Sequence, residues 1–100
     1  MPKGYWMVRA DVKDAEKFKA YAQANAEAFR KHGGRFLARA GRTEVVEGTT
    51  RSRNTILEFP SFEAALACYR SSEYQAAAAL RLPYSELDIV IVEGYEGPQP

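Results

Sequence analysis

Alternating apolar and polar residues predict a first β-strand from Tyr5 to Val12. One face of this strand carries every second residue of the run, namely Trp6, Val8, Ala10 and Val12. The opposite face is also apolar over its first half, where Tyr5 and Met7 lie. The pattern therefore predicts a sheet whose two faces are both partly hydrophobic.

The spacing of the apolar residues becomes helical after Asp14, whose side chain can cap a helix N-terminus. Five residues share one helical stripe: Phe18, Tyr21, Ala22, Asn25 and Phe29. Gly33 and Gly34 follow, and glycine ends helices because it adopts positive φ at little cost. The pattern predicts an amphipathic helix with one amide on its buried side.

A second strand is predicted from Arg35 to Ala40, with Gly41 as a bulge or bend. Arg42 to Glu47 is predicted to continue this strand toward a turn near Gly48. Charged residues alternate around the resulting hairpin: Arg35, Arg39, Arg42, Glu44, Glu47, Arg51 and Arg53. This alternation predicts cross-strand charge pairing on an exposed ribbon rather than an anion site.

The second half of the chain predicts four elements in order: a strand Thr55–Phe59, a helix Phe62–Arg70 capped by Ser61, a helical piece Ser72–Leu82 capped by Ser71, and a strand Ile89–Val92. Pro60 and Pro83 mark the ends of a strand and of a helix, because proline disrupts both. The order is that of a ferredoxin-like βαββαβ two-layer sandwich of the α+β class. Residues 1–94 are predicted to form this single domain, and residues 95–100 a flexible C-terminal tail.

Composition and charge narrow the classes of function. The chain has 100 residues, of which 46% are hydrophobic and 27% charged, as in soluble globular domains. A formal net charge of +1 argues against nucleic-acid binding, which needs a concentrated basic surface. The first residues lack the apolar core of a secretory signal, and no apolar run approaches the roughly 20 residues of a membrane span. The sequence therefore predicts a cytoplasmic protein with no membrane and no nucleic-acid partner.

The single cysteine, Cys68, excludes an internal disulfide and a cysteine-based metal site. It lies in an alanine-rich helical run, where a buried thiol is expected to serve as inert packing. Neither a metal nor a cofactor is predicted, since no phosphate loop, nucleophile elbow or zinc motif occurs.

The sheet face that the helices do not cover is predicted to be apolar, because Tyr5, Met7, Ile56 and the run Ile89–Val92 contribute to it. If about 500 Å² of this face were exposed to water, the transfer free energy gained by burying it would be on the order of 12 kcal/mol, at roughly 25 cal/mol per Å² and as an upper bound. A two-fold contact is the common way to cover such a surface. We therefore predict a homodimer in which two sheets pack face to face; the alternative is a monomer with scattered apolar surface.

Asn25 and Phe29 are candidate ligand-binding residues on the buried stripe of the first helix. A buried amide needs hydrogen-bond partners, which a ligand, the backbone or water can supply. His32, the single histidine, is a candidate catalytic base or pocket donor because an imidazole exchanges protons near neutral pH. Its alternative role is to stabilise the negative end of the helix.

Tyr69, Tyr74 and Arg81 form a second candidate set. Tyr74 and Arg81 are two helical turns apart, so that both project from one side of the helix. A phenol and a guanidinium there can bind a carboxylate or stabilise an oxyanion, which makes both candidate catalytic as well as ligand-binding residues. The alternative places Tyr74 in the core and Arg81 at the helix C-terminus. Glu58 lies in a mostly buried strand, and Arg9 is its expected ion-pair partner.

Several stretches of the chain resemble one bacterial family. "ILEFPSFEAALACYRSSEYQ", followed by Arg81, together with "GYWMVRADVKD" and "DIVIVEG", resembles the family called domain of unknown function 1330 over roughly Lys3 to Gly94. The resemblance implies membership of the dimeric α+β barrel superfamily. Two positions depart from it: Ser72, where relatives often carry proline, and Cys68, where they often carry tryptophan, a change that would enlarge any cavity beneath that helix.

Three hypotheses of function follow from the residues and the resemblance. The first is a homodimer that binds a small, partly apolar metabolite, with or without a carboxylate, between helices and sheet. The second is a cofactor-independent oxygenase or isomerase that acts on a small carbonyl or phenolic substrate through Asn25, His32, Tyr74 and Arg81. The third is a structural dimer without a ligand. The sequence leaves all three open, and with them the question whether the protein is an enzyme.

Overall fold

The computed structural model describes residues 2–100. Its elements follow one another in this order: β1 Gly4–Val12, α1 Ala15–Lys31, β2 Arg35–Arg39, β3 Arg53–Phe59, α2 Phe62–Arg70, α3 Ser72–Ala79, a 3₁₀ turn Leu82–Tyr84 and β4 Ser85–Glu93. This order confirms the predicted ferredoxin-like α+β fold. None of the helices formed by residues 2–100 is long and apolar enough to cross a membrane.

The four strands form one antiparallel sheet in the order β2-β3-β1-β4. Trp6 on β1 lies opposite Leu57 on β3 and Ile91 on β4, so these three side chains share one face. Trp6 is fully buried, and its indole N–H donates to the Ala65 carbonyl of α2 at 2.9 Å. The helices therefore pack on the face that carries Trp6.

The opposite face, here called the open face, is not covered by helices. Its apolar residues are Tyr5, Met7, Ile56, Val90 and Val92, which lie beside one another in the register of β3, β1 and β4. Val90 is 53% exposed and Val92 is 44% exposed. The predicted apolar character is thus present over one half of this face, while Arg9, Asp11 and Asp88 make the other half polar.

The helices begin where their predicted capping residues lie. Asp14 accepts a hydrogen bond from the backbone N–H of Lys17 at 3.2 Å, and Ser61 accepts one from Ala64 at 3.0 Å. Ser71 likewise accepts from the N–H of Tyr74 at 3.1 Å, which starts α3 directly after α2. These caps satisfy donors that a helix N-terminus leaves unpaired.

The predicted charged ribbon is wrong. β2 ends at Arg39, its bulge lies between Phe36 and Ala38 rather than at Gly41, and residues 42–47 form no strand. The ladder closes at Ala40, which has a positive φ of 46° and donates its N–H to the Asn54 carbonyl at 3.0 Å. Residues 41–50 are exposed, and the two valines among them, Val45 and Val46, are adjacent and would point to opposite faces of a strand, so that pairing would bury no continuous apolar face.

Arg51, which the ribbon prediction paired within the hairpin, reaches the open face instead. Its guanidinium lies 2.9 Å from Asp11 on β1, and 3.2 Å from Glu86 and 2.8 Å from Asp88 on β4. The segment 40–52 is therefore held to the sheet by one arginine and three carboxylates.

Three further predictions need correction. Glu58 does not pair with Arg9: Arg35 on β2 donates to it at 3.0 Å and Tyr5 on β1 at 3.1 Å, because β3 lies between those two strands. The hydrogen bond from Arg35 lowers the pKa of the Glu58 carboxyl. The bounds of two elements also differ: β4 extends from Ser85 to Glu93, since it pairs along the whole of β1, and α3 ends at Ala79, before the 3₁₀ turn that contains Pro83.

Candidate functional site

A cavity of about 240 Å³ lies between α1 and the helix-covered face of the sheet. Most of its wall is apolar, formed by Trp6, Val8, Phe18, Phe29, Phe36, Leu57 and Leu87. Drug-sized ligands occupy roughly 300–1,000 Å³, and a dry cavity of about 150 Å³ accommodates benzene. The α1 cavity therefore suits a single ring or a short branched chain with a few substituents.

Asn25 brings a polar group into this apolar wall. The helical stripe places it between Tyr21 and Phe29, and its side chain is only 6% exposed. Its Oδ1 has no hydrogen-bond partner among the residues that the structure describes. Such an acceptor costs about 1–3 kcal/mol when it is buried and unpaired. A ligand that presents an O–H or N–H group to Asn25 would remove this cost.

Two arginines of the predicted ribbon, Arg39 and Arg53, lie instead at the edge of the α1 cavity. The Arg39 guanidinium lies over the ring of Phe36 at 4.2 Å, and that of Arg53 over the ring of Phe18 at 5.5 Å. The sequence does contain a signal for Arg53: it has the same parity along β3 as Leu57 and therefore faces the helices. The two guanidinium groups make the edge of the cavity positive.

A chain of hydrogen bonds runs behind the cavity wall from Tyr21 through Tyr74 to Arg81. The two phenolic oxygens are 2.8 Å apart, and Arg81 Nη2 donates to the Tyr74 hydroxyl at 3.1 Å. Arginine can only donate, whereas the Tyr74 oxygen has two lone pairs, so the hydrogen bond between the two phenols can run in either direction. When Tyr74 donates to Tyr21, the proton of Tyr21, which lines the cavity, is available to another acceptor.

Burial influences the charges of the groups in this hydrogen-bond chain. Desolvation raises the pKa of the fully buried Tyr74 phenol, which therefore stays neutral. Burial is the largest single influence on the pKa of Arg81 and lowers it, but the interactions with Tyr74 and Tyr21 together raise it by more, so that the pKa lies above its ordinary value. The chain thus joins a neutral phenol to a charged guanidinium.

The predicted site residues fall in four places. Asn25 and Phe29 line the α1 cavity, whereas Tyr74 lies in the core behind it. Tyr69 and Arg81 line a separate groove between α3 and β4. The last candidate, His32, follows α1, where its Nδ1 lies 2.9 Å from the Ala28 carbonyl oxygen, and it lines neither space.

Cys68 lies outside both spaces, so its small side chain does not enlarge the α1 cavity. It is fully buried, with Sγ 3.6 Å from the Ala28 carbonyl, and burial raises the pKa of its thiol to about 12. A thiol in this state is a poor nucleophile. Within residues 2–100, no group of three or more His, Cys, Asp and Glu side chains is placed to hold a metal ion.

Solved structures share this fold at low sequence identity. The RPA0582 protein of unknown function from Rhodopseudomonas palustris is 15% identical, with a TM-score of 0.76, over 96% of this chain and 85% of that one. SnoaB, a cofactor-independent oxygenase from Streptomyces nogalater, is 13% identical, with a TM-score of 0.63, over 100% of this chain and 97% of that one. At such identities the likeness establishes the fold alone.

A third neighbour is an ethyl tert-butyl ether D (EthD) family protein from Bacillus halodurans. It is 16% identical, with a TM-score of 0.57, over 95% of this chain and 100% of that one. No curated protein matches the sequence. The model of the family described as domain of unknown function (DUF1330) matches residues 3–95. Because this match spans nearly the whole chain, the protein belongs to the DUF1330 family.

Proposed function

We propose that the protein binds a small, partly apolar metabolite in the cavity between α1 and the sheet. The observation that carries this proposal is the unpaired Oδ1 of Asn25 in an otherwise apolar wall. A core that needed only to be filled would be better served by a hydrocarbon at this position. Asn25 is therefore explained by a ligand that donates a hydrogen bond to it.

The cavity also suggests the chemistry of that ligand. Its volume of about 240 Å³ suits one ring, and its apolar wall suits a hydrocarbon body. Asn25 requires an O–H or N–H group, while Arg39 and Arg53 at the edge favour an anionic substituent. A small hydroxyaromatic acid has all three features and serves as a probe.

The test is a calorimetric titration with 4-hydroxybenzoate, benzoate and phenol. We expect 4-hydroxybenzoate to bind the wild-type protein and Asn25→Leu to weaken its binding at least tenfold. Gln23→Leu, on the exposed face of the same helix, is the matched control and should leave the affinity unchanged. Native mass spectrometry of freshly purified protein searches for the natural ligand. If none of the probes binds and no small molecule co-purifies, the proposal fails.

The open face supports a second proposal, that two copies associate sheet to sheet. Tyr5, Met7, Ile56, Val90 and Val92 form a contiguous apolar surface there, and monomers rarely leave such a surface open to water. Light scattering should give twice the mass of one chain for the wild type and a lower mass for Val90→Lys. Leu80→Lys, an equally exposed position on the helical side, should keep the wild-type mass. A well-folded wild-type protein of single-chain mass at micromolar concentration would refute this association.

A catalytic role is the alternative to simple binding, and the hydrogen-bond chain favours it. Arg81 donates to Tyr74, whose hydroxyl bonds that of Tyr21, and this arrangement holds at the cavity wall a phenol that can hydrogen-bond a carbonyl or phenolate oxygen. A fold shared with SnoaB, a cofactor-independent oxygenase, makes oxygenation or isomerisation of a small carbonyl or phenolic substrate the reaction to test. Turnover of a bound probe, measured by dioxygen uptake or product analysis and lost in Tyr21→Phe, would support an enzyme. Saturable binding without turnover would support a carrier.

A further inference from the structure

Arg81 is a buried cation without a counter-ion. Its side chain is only 7% exposed, and no carboxylate lies within ion-pair distance of it among residues 2–100. Other arginines do have such partners, including Arg35 with Glu58 and Arg51 with three acids. Because a buried charge that is not balanced is costly, Arg81 needs an explanation.

The neighbours of Arg81 offset this cost only in part. One Nη donates to the Tyr74 hydroxyl, and the guanidinium lies 5.1 Å from the ring centre of Tyr21. Its Nε has no hydrogen-bond partner among the described residues. Both neighbours are phenols rather than carboxylates, and burial keeps Tyr74 neutral.

Arg81 also forms part of the wall of a solvent-connected groove of about 430 Å³ between α3 and β4. The other side chains of this groove, here called the Arg81 groove, include Leu82, Leu87 and Ile89, with Tyr69 and Gln75. Leu82 lies at its edge and is 67% exposed. Arg81 is the one charged residue in this lining, which is otherwise apolar or neutral. The Arg81 groove thus combines apolar side chains with one cationic residue.

We infer that the Arg81 groove binds a small molecule that carries a carboxylate on an apolar tail. The guanidinium of Arg81 balances the carboxylate, and the leucine and isoleucine side chains cover the tail. Leu87 contributes to the walls of both spaces and so separates this groove from the α1 cavity. The site is therefore additional to the one proposed above and does not depend on it.

The test uses hexanoate as the probe at fixed ionic strength, with hexan-1-ol as the uncharged control of the same tail length. We expect saturable hexanoate binding in calorimetry, at least tenfold tighter than that of hexan-1-ol. Shifts of the Gln75 side-chain amide and of Ile89 in NMR spectra locate the probe in the groove. If hexanoate does not saturate the protein, or if hexan-1-ol binds equally well, the inference is overturned.

Two variants identify the residue responsible. Arg81→Met should weaken hexanoate binding at least tenfold, and Leu82→Asp, at an exposed edge position that the fold tolerates, should do the same by repulsion. Arg70→Met, at the exposed end of α2, is the matched control and should bind as the wild type does. Unchanged affinity in Leu82→Asp overturns the inference even if Arg81→Met fails to fold.

Asn25→Leu distinguishes this inference from the proposed function. It should leave the hexanoate affinity unchanged while it weakens 4-hydroxybenzoate binding. If Asn25→Leu loses hexanoate binding and the variants of the Arg81 groove do not, the carboxylate binds in the α1 cavity. That result would refute a separate site and support the proposed one.

Discussion

In the Asn25→Leu variant the buried amide of α1 becomes a hydrocarbon with the same branching, and we expect a more stable protein that binds its ligand poorly. Removing the unpaired Oδ1 recovers about 1–3 kcal/mol. The higher helix propensity of leucine contributes roughly a further 0.5 kcal/mol. The additional methyl groups have room, because the adjacent cavity measures about 240 Å³.

A net gain of about 2 kcal/mol corresponds to an increase in Tm of roughly 8–16 °C for a domain of this size. Trp6 is the single tryptophan and is fully buried, so its fluorescence reports urea unfolding. The midpoint should rise while the slope m stays constant, at one fixed protein concentration. Gln23→Leu is the control for propensity, since it introduces leucine at an exposed position of the same helix without removing a buried acceptor.

Two results would refute this reasoning. A midpoint that falls in Asn25→Leu would mean that the amide is well satisfied in solution, and the argument for a ligand would fail with it. A gain in Gln23→Leu equal to or larger than that in Asn25→Leu would attribute the effect to helix propensity rather than to the unpaired acceptor.

Three further predictions concern the rest of the fold. Cys68 should resist alkylation in the native protein at pH 8 and react on unfolding, because it is fully buried and its pKa is raised to about 12; rapid native modification would contradict this placement. Gly4→Ala should cost several kcal/mol in denaturant unfolding (~3 kcal/mol or more), since a Cβ at Gly4 would overlap the Ser61 backbone; a neutral effect would exclude this close approach. Glu58 has a pKa lowered by Arg35, so it stabilises the fold above its unfolded pKa and loses this contribution as the pH falls through the folded pKa. Glu58→Gln should therefore flatten the acid side of a stability-against-pH curve below about pH 4, and an unchanged acid side would show that the ion pair contributes nothing.

Local chemistry explains which parts of the fold could be predicted from the sequence. The caps at Asp14, Ser61 and Ser71 were predictable because each side chain bonds to a backbone N–H three residues further along the chain. The placement of Asn25 on the buried side of α1 followed from helical spacing. The volume of the cavity beside it could not be predicted in this way, because that volume depends on how the helices pack on the sheet.

The errors concern relations between strands. Alternation assigns Glu58 to a face, but only the strand order β2-β3-β1-β4 determines that Arg35 and Tyr5 are its neighbours. In the same way, the charges of residues 42–47 suggested pairing, although none of the apolar contacts that stabilise a ladder was available. Arg51 pairs with carboxylates on β1 and β4, two strands that are distant from it in sequence.

The pairing of β1 with β4 has a consequence for synthesis on the ribosome. The first strand, Gly4–Val12, matches the last, Ser85–Glu93, residue for residue, from Gly4 opposite Glu93 to Val12 opposite Ser85. Until the last strand leaves the exit tunnel, one edge of the nascent β1 has no neighbour, and long-range pairing of this kind is slow to form. A ribosome that stalls after α3 would therefore present an unprotected hydrophobic strand to chaperones, whereas a chain whose last strand has left the tunnel can complete its sheet.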